Sequence, residues 1–117
     1  MDEHKGMLLD TSAMLMKTVF FEEDFGLEDM YNHVGCDHLD IVRLPERIDI
    51  WVDDEGLLKS GNIVMQYQLK DIGEPLHLAG NALFLSYDDE GNTIGLTNDQ
   101  IMWIAENIEF VPYGETR

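Results

Sequence analysis

Positive charge is what this sequence has least of. Seven Lys and Arg stand against 24 Asp and Glu in 117 residues, a formal net charge of −17. An imbalance of that size builds a potential of several kT over a small surface. It argues against direct binding to nucleic acid or to an anionic membrane, and it favours basic partners or cations. The shortage is uneven. From Asp71 to Thr116 there is no Lys or Arg, while nine acids occur: Asp71, Glu74, Asp88, Asp89, Glu90, Asp99, Glu106, Glu109 and Glu115. A second cysteine is missing too, so Cys36 has no internal disulfide partner and the fold needs no oxidising compartment. Long apolar runs are absent, and the opening MDEHKGMLLD carries no basic leader. Neither a membrane span nor a secretory signal is expected, and a cytoplasmic location follows. With no repeat and no linker-like stretch, the expectation is one domain over residues 1–117, with 1–6 and 113–117 frayed.

What is there reads as α+β: mainly antiparallel sheet with two or three short helices packed on one face. The most legible stretch is Leu39–Gly56. Ile48, Ile50 and Val52 alternate with Asp49, Trp51 and Asp53, so one face is core and the other partly wet. Val42 and Leu44 share the core face of the preceding strand, with Pro45-Glu46-Arg47 as the turn. On the opposite face an Arg43–Trp51 contact competes with the simpler expectation that another element covers Trp51. Ala82–Leu85, apolar on both faces, predicts a central strand that runs into Asp88-Asp89-Glu90-Gly91.

Leu27, Met30, Tyr31 and Val34 lie at helical spacing, with Glu28 and Asp29 in the first turn and Gly35 placed as a left-handed cap. Thr97-Asn98-Asp99-Gln100 is a capping box that opens a helix through Ile101, Ile104, Ala105 and Ile108. Met14–Phe21 reads as a strand, with a helix over 7–16 as its rival. For Ile63–Leu69 helix is preferred to strand. Phe110-Val111 ends the chain's regular structure as a short strand before Pro112.

Sites of known chemistry are mostly excluded. No nucleophile elbow, phosphate-cradling glycine loop or His-Glu-x-x-His motif occurs, and a Cys36–His38 dyad lacks a third orienting group. The twin Asp-Asp-Glu-Gly runs at 53–56 and 88–91 invite a Ca²⁺ or Mg²⁺ reading. An EF-hand would need Glu six residues after its glycine, where Asn62 and Thr97 stand here. His33, Cys36, His38 and His77 lack the paired spacing of a zinc site. No metal, cofactor or enzymatic activity is expected.

The helix ending in Val34-Gly35, the strands Asp40–Leu44 and Ile48–Val52, the Asp54-Glu55-Gly56 turn, Asn62 and Ala79-Gly80-Asn81-Ala82-Leu83 together resemble a family. It is one of small uncharacterised domains found in phages and mobile elements. The likeness spans roughly residues 14–97, with Cys36 where the family commonly has glycine. It implies a phage or mobile-element setting and no catalytic residues. Combined with the charge, the expectation is a non-catalytic acidic protein that inhibits a host nucleic-acid-binding defence enzyme by DNA mimicry (anti-restriction or anti-CRISPR), acting in the host cytosol. The acids assigned to that surface are Asp53, Asp54, Glu55, Asp71, Glu74, Asp88, Asp89 and Glu90. The alternative is an assembly module, homodimeric through Met102 and Trp103, with a merely solubilising acidic surface. A divalent-cation or small-ligand domain is a third reading.

Overall fold

The computed structural model describes residues 4–70 and 73–116. The chain runs β1 (His4–Asp10), β2 (Leu15–Phe21), α1 (Leu27–Val34), β3 (Leu39–Leu44), β4 (Ile48–Asp53), β5 (Ile63–Leu69), β6 (Leu76–Ala79), β7 (Ala82–Tyr87), β8 (Thr93–Ile94), α2 (Asn98–Asn107) and β9 (Ile108–Glu115). Two antiparallel sheets result. The larger has the order β2-β1-β7-β4-β3, with β8 added on β7, and the smaller is β6-β5-β9. The α+β, mainly antiparallel expectation holds. No helix among the described residues is long and apolar enough to cross a membrane.

β7 explains the layering. Its residues are buried on both faces, as Ala82–Leu85 predicts, because β1 and β4 flank it and each face meets a different core. Phe84 joins Ile48, Ile50, Met65, Tyr67 and Ile104 between the two sheets. Leu83 and Leu85 join Val19, Phe21, Met30, Val34 and Trp51 on the other side. The helices therefore do not share one face. Met30 and Val34 of α1 belong to the second core and Ile104 of α2 to the first. Trp51 is covered on the α1 side, and the register puts Ile41, not Arg43, opposite it. Arg43 faces Asp49 instead.

Two other expectations change. Ile63–Leu69 is a strand, not a helix. Met65, Tyr67 and Leu69 enter the core while Gln66 and Gln68 stay half-exposed, a period of two that favours strand once β-branched Ile63 and Val64 lead it. Residues 4–21 form a hairpin: β1 and β2 are joined by a turn in which the Asp10 carboxylate accepts from Ser12 and Ala13 backbone N–H groups. This rules out the helix over 7–16. His4–Gly6 pair with β2, and Tyr113–Glu115 continue β9 through Pro112. Beside Pro112 the β5–β9 ladder shifts register, at Val64/Met65, which is where a proline fits in a sheet.

Both helices begin as the residues foretell and α1 also ends so, but α2 stops at Asn107, and Ile108, expected on its inward face, turns extended and begins β9. Gly35 closes α1 at φ 82°, a left-handed conformation that costs glycine little. The Thr97 hydroxyl accepts from Gln100 N–H, and the Gln100 side chain accepts from Thr97 N–H.

Candidate functional site: an acidic end of the larger sheet

The β4–β7 register decides where the acids go. Ile48 lies opposite Ser86 and Val52 opposite Ala82. Antiparallel strands leave a sheet at opposite ends, so Asp53-Asp54-Glu55 and Asp88-Asp89-Glu90 are separated by the full six-residue length of β7. At about 3.4 Å per residue that is about 20 Å. The two runs are not neighbours. Nor is 53–56 a hairpin end: it begins the crossover from β4 to β5 in the other sheet. There Lys59 Nζ donates to Asp53 Oδ2 at 2.6 Å, and Asn62 Nδ2 donates to the Gly56 carbonyl.

Other acids take the place beside Asp88–Glu90. Pairing of His4 with Phe21 ends β2 at the same side of the sheet where β7 ends, which delivers Glu22, Glu23 and Asp24 to that end. Glu23 and Asp24 share a cleft of about 520 Å³ with Asp88, Asn92 and His4. Glu46 arrives in the β3–β4 turn. Glu46 and Arg47 adopt φ of 65° and 58°, positions strained for residues with a Cβ. The turn is tied down from beneath: the Ser86 hydroxyl donates to the Arg47 carbonyl at 2.9 Å, and Gln100 Nε2 donates to the Glu46 carbonyl at 2.8 Å. Gln100 thus caps α2 and clamps this turn at once.

The Asp88 turn is held by its own carboxylate, which accepts from the backbone N–H groups of Glu90 and Asn92 and from Asn92 Nδ2. These bonds from Asn92, then Glu90, hold the Asp88 carboxyl below the usual carboxylate range. Arg47 pairs with Asp89, and Lys5 donates to Asn98 Oδ1. Arg43, one step inward, is spent on buried Asp49, with Nε to Oδ1 at 3.0 Å, and lies over the Tyr87 ring at 4.4 Å. The three turns at this end therefore bring seven carboxylates (residues 22–24, 46 and 88–90) together with two bases, Lys5 and Arg47, and Asp99 in the first turn of α2 lies beside them. Sequence reasoning missed Glu22–Asp24. The signal that finds them is the β1–β2 turn chemistry at Asp10-Thr11-Ser12, which makes 4–21 a hairpin and fixes where its second strand ends.

The remaining assigned residues scatter. Asp71 lies outside the described residues, and Glu74 is exposed ahead of β6 in the smaller sheet. Met102 is exposed, but Trp103 is half-buried against the core between the sheets. Cys36 is buried and donates its S–H to the backbone carbonyl of His38, not to the imidazole. Burial, then the Asp53 charge, pushes its thiol up, which keeps it protonated and unreactive at neutral pH. His77 lies against Tyr113 in the smaller sheet, apart from His33, which packs edge-on to Phe21. Among the described residues no group of three or more His, Cys, Asp and Glu stands ready to hold a metal ion.

A family described as a domain of unknown function (DUF3846) matches residues 5–109. The chain belongs to that family. No curated protein and no solved structure matches it. Some of the residues that carried the likeness in the sequence (Val34-Gly35, Asn62 and Gly80-Asn81) converge in space. Val34-Gly35, Asp53, Asn62 and Gly80-Asn81 line one polar cleft of about 480 Å³ at the corner where the chain crosses between the sheets. Asn81 Oδ1 accepts from Thr11 N–H and hydroxyl, which anchors the β6–β7 crossover to the β1–β2 turn. These glycines and turn polar groups thus hold a corner, at the opposite end of the larger sheet from the acidic one.

Proposed function

We propose that this member of the family is a non-catalytic binding protein that docks its acidic sheet end into the basic groove of a nucleic-acid-handling protein. The finer reading is phage or mobile-element anti-defence, in which the carboxylates occupy sites meant for phosphates. One observation carries it: Glu23 and Asp24 of one acidic run and Asp88 of another, 64 residues further along the sequence, line the same cleft. The charges there, seven acids less two bases, equal those on about 9 Å of duplex axis, at one per roughly 1.7 Å. A face of that size engages a few Arg or Lys of a partner, and burying it against them relieves the self-repulsion of a −17 chain.

The test is a pull-down from host extract at about 50 and 200 mM salt, followed by competition with duplex DNA. Capture should weaken steeply with salt, and duplex should displace the partner. Asp88→Lys/Asp89→Lys/Glu90→Lys inverts the sign of the acidic end and should abolish capture. Glu22→Lys/Glu23→Lys/Asp24→Lys should do the same, whereas reversing Asp53, Asp54 and Glu55 should leave most of it. Equal loss from all three variants would reduce the effect to net charge, and full retention by the 88–90 variant would end the proposal.

A further inference from the structure

β2 is an edge strand, bonded on one side to β1 and, among the described residues, to nothing on the other. It is seven residues long, and a strand of that length offers a row of outward N–H and C=O groups to any strand that approaches. Soluble proteins usually blunt such an edge with charge, proline or a bulge. This one has none but Lys17. Phe20 and Leu15 are 57% and 52% exposed along it, and Met14, in the turn just before it, is 48% exposed. Residues 11–21 contain no acid at all in a chain where one residue in five is Asp or Glu.

We infer that this edge is the self-association surface of the protein, pairing antiparallel with β2 of a second copy about a two-fold axis. Charge selects the occupant and the direction. Two chains of −17 repel wherever carboxylates face carboxylates, and this edge lets their backbones meet without that. The strand carries its one base, Lys17, at its third position, and Glu22-Glu23-Asp24 follow its end. Parallel pairing would set base against base and acid against acid. Antiparallel pairing centred on Phe20 carries each Lys17 opposite Glu23 of the other copy. It also lays the two exposed Phe20 side chains beside each other at the two-fold axis. Lys17 is free to turn, since its present partner Asp10 is 3.4 Å away and the ammonium is exposed. The arrangement is isologous and closes at two subunits, so it extends the larger sheet without opening a path to fibres. It places the two acidic ends at opposite ends of the paired strands, where they repel least. It also differs from a dimer through Met102 and Trp103, because Trp103 is half-buried in its own subunit.

Sedimentation equilibrium from about 1 µM to about 1 mM tests it. The full chain should pass from 13.4 kDa to twice that mass within the range. Phe20→Lys should raise the dissociation constant by about tenfold or more. Lys17→Glu should do likewise, and Lys17→Glu/Glu23→Lys should recover most of the loss, which a merely structural role would not predict. Lys17 is exposed on the surface, so its variants keep the test open if Phe20→Lys fails to fold, as a thermal melt would show. A 13.4 kDa species at every concentration overturns the inference. So does a dimer that survives both edge variants and is lost in Met102→Lys.

Discussion

Arg43→Met tests the buried ionic contact that the register creates. Asp49 is 3% exposed in the middle of the larger sheet, and its carboxylate receives two bonds from the Arg43 guanidinium, at 3.0 and 3.4 Å. Methionine keeps the aliphatic length of the arginine and removes the charge. What remains is a carboxylate out of water with its one cation gone, a condition that costs about 3–5 kcal/mol in buried pairs. Arg43 is itself well exposed, so water can reach part of the gap, which places the expected loss near the lower bound, about 3 kcal/mol. The Arg43–Tyr87 ring contact goes with it. For a chain of this size each kcal/mol moves the melting temperature by roughly 3–5 °C, so a fall of roughly 9–15 °C is expected. Urea melts of Arg43→Met, Asp49→Leu and the double variant complete a cycle. The double variant should be more stable than Arg43→Met alone, since an apolar pair leaves no stranded charge. A loss under about 1 kcal/mol in Arg43→Met would refute the reasoning, because it would mean that water already solvates Asp49.

Tyr67 buries its hydroxyl with no hydrogen-bond partner among the described residues, between the Phe84 and Phe110 rings. Burial pushes its phenol up, so it stays protonated throughout the working range. Tyr67→Phe removes an unsatisfied polar atom and should leave the protein as stable or up to about 1–2 kcal/mol more stable in urea; a loss beyond about 1 kcal/mol would show that the hydroxyl is bonded after all. Asp88→Ala bears on pH. The folded carboxyl titrates below its unfolded value of about 3.9, so its stabilisation is complete above that value and is lost as pH falls through the folded one. The gap in melting temperature between wild type and Asp88→Ala should be constant from neutral pH to about pH 5 and close towards about pH 2. A gap that widens on acidification would overturn the assignment.

Local patterns carried much of the fold. The alternation at Ile48–Val52, the doubly apolar Ala82–Leu85, the capping box at Thr97 and the Gly35 cap each rest on neighbours within a few residues, and each element stands where those neighbours put it. Ile63–Leu69 misled because the sheet that rewards its alternation is made with β6 and β9, and propensity alone does not see partners. The sequence by itself determined the charge, the single domain's α+β character and the family. Only the tertiary structure decided which acids act together. Asp53 and Asp88 look like echoes along the chain, yet an antiparallel pair of strands sends their followers to opposite ends of the sheet. Glu22 and Asp88 look unrelated, yet β1 between their strands brings them to one end, because each successive antiparallel neighbour reverses direction and β2 and β7 therefore run the same way.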